Sequence, residues 1–273
     1  FPDEEDKMLI AHLSDLHICP PGRLALKVSD TIGMTQRAFE AVAALPVRPD
    51  VLVITGDLTE SGLPEEYALV RSMLDELGLP TLLIPGNHDV REAMIAGLDL
   101  GPHADLSGGF IQFSADLGPV RLIGLDTLLP GSSAGAICDT RLDFLERSLA
   151  EAEGRPVALF THHPPFSCGL GYMDAVMLKD GAARLAEIVA RHPNIERVLS
   201  GHHHRPVQVR YAGTIGQVVP GVAHQLILDL TPGAKARFLM EPPAFMLHSW
   251  QPGAGLISHT AFVGAFEGPY PFT

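Results

Sequence analysis

Apolar residues fall along the chain in short unbroken runs, each followed by a polar loop and then by an amphipathic segment. The runs cover 8–14, 50–55, 81–84, 156–161 and 195–200. They are too short for buried helices and lack the alternation of a half-exposed strand, so they read as strands buried on both faces. Ser29-Asp30 caps a helix over 31–44, with Ile32, Phe39, Val42 and Ala43 on its apolar face. Pro64 stands in the first turn of a second helix that runs to Leu77, where Gly78 ends it. Further helices are expected over 139–153, with Leu142, Leu145, Leu149 and Ala152 inward, and over 180–191. The β-α-β-α-β order implies a parallel sheet flanked by helices, an α/β class. The segment 98–109 is looser, and 110–113 with 120–126 suggests a strand pair. Beyond Arg205 strand-like runs alternate with turns at 207–211, 216–219, 224–230, 236–240, 245–250 and 256–262. The early ones complete the second half of the sheet, and the Pro- and Gly-rich remainder reads as a lid or contact region.

The same event closes five runs. Asp15 and His17 follow the first, on one side if the chain stays extended. Gly56-Asp57 follows the second, and Pro85-Gly86-Asn87-His88-Asp89 the third. His162-His163-Pro164-Pro165 and Gly201-His202-His203-His204 follow the last two. Singly, each has a plain alternative as a cap, a packed histidine or a solvated turn, and His12 and His192 are read as packed or surface histidines. Together they stand where α/β proteins place ligand chemistry, outside the carboxyl ends of the strands. Carboxylate, amide and imidazole donors without a thiolate suit first-row metal ions. The set exceeds the three or four protein ligands of a single zinc site. Two ions sharing a carboxylate fit it better, and such a pair activates water and clamps a phosphoryl oxygen.

Composition narrows the classes. The chain has 273 residues, 46% of them apolar, enough for one large domain or a domain with a small appendage. A formal charge of −13 argues against nonspecific binding to nucleic acid or to an anionic membrane. An anionic substrate then needs a local positive centre, which a bound metal supplies. Cys19, Cys138 and Cys168 form no CxxC pair, so no motif supports a cysteine-based zinc site, and their odd number suggests a reducing compartment. No run of apolar residues is long enough for a transmembrane helix, and the opening FPDEEDK lacks the pattern of a signal peptide. A cytoplasmic location is expected.

The motif set D-x-H, G-D, G-N-H-D, H-x-P and G-H-x-H, in this order across about 8–205, resembles the binuclear metallophosphoesterase, or calcineurin-like, superfamily. LIPGNHD, THHPPF, PGVAHQ and PEEY, with the late FMLHSW and ISHTAF, are similar to the bacterial glycerophosphodiester phosphodiesterases and class III cyclic-nucleotide phosphodiesterases. The resemblance implies a four-layer α/β/β/α sandwich over 8–230 and a small C-terminal lid and oligomerisation region over 231–273. It implies that Asp15, His17 and His204 hold one metal, that Asp57 bridges, and that Asn87, His162 and His202 hold the other. His162 is preferred to His163 because it stands two residues before the proline. His203, at the variable position of the last motif, is read as a surface histidine or a neighbour of a ligand. Glu60 is at most a partner of a ligand.

The cofactor implied is a pair of Fe, Mn, Zn or Co ions. The reaction implied is hydrolysis of small phosphodiesters, of glycerophosphodiester type and with broad tolerance, by attack of a metal-bound hydroxide. His88 would hydrogen-bond the phosphoryl group or protonate the leaving alkoxide, with Asp89 setting its tautomer. Asn87, His88 and His224 would contact substrate. The loops 20–27, 98–109 and 169–177 and the tail would shape the pocket, with Phe166, Tyr172 and Met173 either an apolar wall or core. A 3′,5′-cyclic nucleotide phosphodiesterase is the alternative, followed by a phosphomonoesterase, a metal-dependent ester or amide hydrolase, and a metal-storage module. The partners expected are a small phosphodiester and a second copy of the chain, as a homodimer or larger homo-oligomer, with no nucleic-acid polymer and no membrane.

Overall fold

The computed structural model describes residues 7–272. The reading of FPDEEDK falls, but for Lys7, outside the described residues. Two sheets face each other. The first has five strands in the spatial order Gly255–Phe262, Ala244–Gln251, Met8–Leu13, Val51–Thr55 and Thr81–Ile84. The last three are parallel, and the C-terminal hairpin joins antiparallel on Met8–Leu13, with Met8 opposite Trp250 and His12 opposite Met246. The second sheet has seven strands in the order Val207–Tyr211, Thr214–Val218, Ile195–Ser200, Val157–Thr161, Arg121–Leu125, Gln112–Asp116 and Ala104–Asp105. Its four inner strands from Thr214–Val218 to Arg121–Leu125 are parallel, and its flanks are antiparallel.

The layers follow from alternation along strands that are apolar on both faces. Ile10, Val51, Val53, Leu82 and Ile84 meet Leu122, Ala158, Phe160 and Leu199 between the sheets. Their neighbours Ala11, Leu13, Leu52, Ile54 and Leu83 pack instead with Phe39 and Val42 of helix Thr31–Ala43 and Tyr67 and Val70 of helix Pro64–Leu77. Across the molecule, Ile123, Leu125, Leu159 and Val198 pack with helices Asp139–Glu151 and Ala182–Arg191. Three apolar layers between two helical flanks and two sheets make the α/β/β/α sandwich. The helix ends obey local chemistry: the Asp30 carboxylate accepts the Gly33 N–H at 3.1 Å, and Gly78 closes Pro64–Leu77 at φ 62°.

Two features depart from the expectation. Helices Arg91–Gly97 and Gly171–Ala175 stand where no helix was read. Of the region 231–273, the hairpin Ala244–Gln251 and Gly255–Phe262 is sheet rather than lid, because Phe245 packs on the helical side of the first sheet and Leu256 in the inter-sheet layer. That leaves Phe238–Leu239, paired with Gln225–Leu226, as the part of the region beside the strand-end loops. His12 lies between the sheets, as its packed reading implied. It shares hydrogen bonds with Thr55 Oγ1 at 2.9 Å and His248 Nε2 at 3.2 Å, and His248 continues to Ser258 Oγ at 2.7 Å.

Candidate metal centre

The loops that leave Met8–Leu13, Val51–Thr55, Thr81–Ile84, Val157–Thr161 and Ile195–Ser200 converge at one end of the two sheets. Asp15, His17, Asp57, His202 and His204 all hold positive φ, between 47° and 67°. Non-glycine residues rarely do so, and clustered strain of this kind marks sites where side-chain placement overrides backbone preference. Asp15 and His17 therefore reach the centre through left-handed turns and not through the alternation of an extended strand. The glycines of the motifs let these turns press together. At Gly56 (φ +85°) a Cβ would meet Gly86 N at 2.5 Å and His162 Nδ1 at 2.7 Å, so only glycine fits.

The hydrogen bonds at the rim fix what faces inward. The Thr55 carbonyl lies 2.6 Å from His162 Nδ1, and the His224 carbonyl lies 2.8 Å from His204 Nδ1. A carbonyl only accepts, so both Nδ1 atoms carry protons and Nε2 is the atom of each ring that faces the centre. His17 Nδ1 is bonded to Glu60 Oε2 at 2.8 Å with the same effect. These Nε2 atoms meet one another and the oxygens of Asp15, Asp57 and Asn87. His17 Nε2 is 3.0 Å from His204 Nε2, and His204 Nε2 is 3.3 Å from Asp15 Oδ1. Asp57 Oδ2 lies 3.6 Å from His17 Nε2 and 3.4 Å from His162 Nε2, and Asn87 Oδ1 is 3.2 Å from His162 Nε2. Against its burial, Asp57 and Asp15 raise His162 to about 9, so with no ion bound the ring holds a proton beside the carboxylates, and a metal ion at the same place takes over that proton's role. The residues present fit metal ions, and Asp57 stands in the middle of the set. Burial alone would raise Asp57, but His162, His88 and His17 hold its carboxyl well below the usual range. Against the same burial, His204 draws Asp15 down to about 2.

The remaining expected residues divide. His88 lines the pocket; its N–H donates to Asp57 Oδ1 at 2.8 Å, and its Nδ1 bonds the Glu60 carbonyl at 2.8 Å. Burial lowers the basicity of His88, but Asp57 and that carbonyl outweigh it and raise it. The expected Asp89–His88 contact is not formed. Asp89 is buried and accepts from the N–H groups of Leu58, Thr59 and Gly86 and from the hydroxyls of Thr59 and Tyr67. It ties the Asn87 loop to the Asp57 loop, and the Glu60 carbonyl sets the His88 tautomer. His224 stacks on His204 at 4.5 Å and lines the pocket, and burial with His204 and His17 pulls it down to about 2. His202 gives its Nε2 to the Val176 carbonyl at 3.1 Å, and its N–H donates to Asp15. His163 is held by Thr127 Oγ1 at 2.8 Å and joins His162 and His202 in a buried imidazole group. Asp126 also ends a strand, but Arg91 grips it at 2.6 and 2.8 Å, which removes it from the centre.

The centre opens into a pocket of about 330 Å³. Leu26, Tyr172, Met173, Val176 and Phe238 form its apolar side, while Phe166 is core under Tyr211. The segment 98–109 does not line it; Ala104–Asp105 extends the far edge of the second sheet. Arg237 at the rim has no motif to announce it, and Asp229 pairs with it at 3.0 Å.

A family model described as calcineurin-like phosphoesterase matches residues 8–206. The chain belongs to this family. Among its phosphoesterase relatives, a probable glycerophosphodiester phosphodiesterase of Arcobacter nitrofigilis is 35% identical over 265 residues, covering 97% of each chain. A probable cyclic nucleotide phosphodiesterase of Rhodopseudomonas palustris is also 35% identical, over 94% of this chain and 93% of that one. A solved dimetal phosphatase from Danio rerio shares the fold with a TM-score of 0.66 at 14% identity, covering 94% of this chain and 99% of that one.

Proposed function

We propose that this phosphoesterase hydrolyses small phosphodiesters at two metal ions. The observation that carries the reading is the convergence of imidazole nitrogens from both sheets on Asp57 Oδ2, beside an open pocket. Asp15, His17 and His204 would hold one ion, Asn87, His162 and His202 the other, and Asp57 both. When bound, the ions supply an activated water and offset charge on the phosphoryl oxygens. The chain supplies the rest. Glu60 and the carbonyls of Thr55 and His224 take the Nδ1 protons and so aim the Nε2 atoms inward. His88, with Nδ1 fixed on a carbonyl, keeps its Nε2 for the phosphoryl group or the leaving oxygen. Tyr172, Met173 and Phe238 offer an apolar seat for a second ester substituent.

That seat and the sparse positive charge favour diesters. Arg237 is the one Lys or Arg among the described residues lining the pocket, and Asp229 already engages it. A monoanionic diester needs less compensation than a monoester dianion. The same pocket admits glycerophosphodiesters and 3′,5′-cyclic nucleotides. The reading is tested with metal-refilled protein on bis(p-nitrophenyl) phosphate beside p-nitrophenyl phosphate. The diester should be hydrolysed well ahead; a monoester preference would move the assignment to phosphatase. Glycerophosphodiesters against cyclic AMP then separate the two diester classes. The homo-oligomer reading is supported by exposed Phe262, Phe266 and Tyr270 near the C-terminus, and a clean monomer in sedimentation at micromolar protein would refute it. No helix among the described residues is long and apolar enough to cross a membrane.

A further inference from the structure

The loop after His162 and His163 carries a second group of donor atoms that the motif set leaves unused. Cys168, Asp174 and His203 bring a thiol sulfur, a carboxylate oxygen and an imidazole nitrogen within 4.8 Å of one another. Cys168 and Asp174 belong to one tight turn of chain around the short helix Gly171–Ala175, and His203 comes from the loop after Ile195–Ser200. None of the three is a ligand in the centre described above.

Asp174 is aimed before anything binds. Its Oδ2 accepts from Ser167 Oγ at 2.5 Å and Gly169 N at 3.0 Å, and its Oδ1 accepts from Cys168 N at 2.8 Å. A carboxylate has about four lone-pair positions, so one is left over. Outer hydrogen bonds of this kind orient ligating carboxylates. His203 gives the independent sign. It is 0% exposed, neither of its ring nitrogens has a partner in full hydrogen-bond geometry, and the Met173 carbonyl is only a loose neighbour of one of them. Buried polar groups are nearly always paired, so a buried imidazole with no well-formed hydrogen bond calls for a missing partner. One of those nitrogens faces the sulfur of Cys168 and the oxygen of Asp174.

We propose that Cys168, Asp174 and His203 hold a further cation of the zinc class, with water completing a four-coordinate shell. Three protein ligands of sulfur, nitrogen and oxygen suit zinc or cobalt(II) and disfavour magnesium, calcium and manganese. Burial and the Asp174 carboxylate push the Cys168 thiol up to about 12, so without a cation it keeps its proton. Binding replaces that proton, one released per ion, and occupancy therefore falls as pH falls. The ion would tie the 167–176 loop to the loop that carries His202 and His204. Tyr172, Met173 and Val176 of that loop line the pocket, so the ion would fix one wall of the substrate site. The inference does not depend on the diester reading, since it concerns a thiolate site whatever the reaction.

The test titrates chelated protein with cobalt(II) and follows near-ultraviolet absorption. A thiolate-to-cobalt charge-transfer band requires a sulfur ligand, which the oxygen and nitrogen donors of the main centre lack. The band should appear in the wild type, persist in Cys138→Ala and Cys19→Ser, and vanish in Cys168→Ser. Bound cobalt should fall by one ion per chain in Cys168→Ser alone. No band in cobalt-saturated wild type, or a band lost in Cys138→Ala or Cys19→Ser, would overturn the site, as would a band that survives Cys168→Ser. The wild-type, Cys138→Ala and Cys19→Ser arms leave the 167–176 loop intact, so they decide the matter even if Cys168→Ser does not fold.

Discussion

Glu60 decides which nitrogen of His17 faces the metal centre, because its carboxylate takes the proton side at 2.8 Å. Replacing it with alanine frees the imidazole to turn or change tautomer. Glu60→Ala should weaken metal binding by ~10–100-fold, read by titration of chelated protein; wild-type affinity would remove Glu60 from the centre. In the proposed reaction His88 would act on substrate and not on the ions. His88→Ala should keep its metals yet lose ~10²–10⁴-fold in kcat on a diester with a poor leaving group. An unchanged kcat would end the general-acid role. At this scale the convergence of the candidate ligands at one end of the sheets was legible, because chemistry-bearing residues recur at strand ends. Of the tautomer-setting partners, the Glu60 carboxylate was read as at most a partner of a ligand, and the carbonyls were not read at all. The Thr55, Glu60 and His224 carbonyls act through backbone oxygen, which no residue type advertises. Asp89 looked like a partner of His88 by adjacency, but the turn sends its carboxylate back to Leu58 and Thr59.

Among elements, the strands 81–84 and 195–200 and the helix from Pro64 to Leu77 stand where apolar runs, Pro64 and Gly78 put them. Arg91–Gly97 escaped because it is one short element whose N-cap, Val90, makes no side-chain bond. The pairing of the C-terminal hairpin with Met8–Leu13 escaped because it joins opposite ends of the chain, and register across that separation leaves no local mark. That pairing brings His248 onto His12 in the inter-sheet layer. Burial draws His12 down to about 3, and Asp15 only partly offsets it. An unfolded histidine titrates near ~6.5. Between those values the unfolded chain binds more protons than the folded one, so His12 contributes no loss above about 6.5 and destabilises progressively as pH falls toward 3. The slope for one such group is at most about 1.4 kcal/mol per pH unit. Urea unfolding of metal-free protein between neutral and mildly acid pH should show a shallower slope for His12→Gln than for the wild type. Equal slopes would mean that His12 is protonated in the folded state.

On the scale of the whole molecule, the candidate ligands come from both sheets. Asp15, His17, Asp57 and Asn87 leave the first, and His162, His202 and His204 leave the second. Bound ions therefore add to the apolar layer, and to hydrogen bonds such as that from His162 Nδ1 to the Thr55 carbonyl, in joining the two sheets. Ligands that bind only the folded state raise its stability by mass action, about 2.7 kcal/mol at a hundredfold excess over Kd. Chelation should lower the melting temperature by on the order of 5–10 °C, and readdition of metal should restore it. An unchanged melting temperature would mean that the loops hold their geometry without ions.

The most direct measurement is a manganese(II) titration of chelated protein, with electron paramagnetic resonance and bis(p-nitrophenyl) phosphate hydrolysis followed on the same samples. Manganese suits the oxygen and nitrogen donors and avoids the Cys168 thiol. If Asp57 bridges two ions, hydrolysis should rise as the second equivalent binds, together with a spin-coupled signal that Asp57→Asn abolishes. Full activity at one equivalent, with only an isolated manganese signal, would contradict a shared two-metal centre.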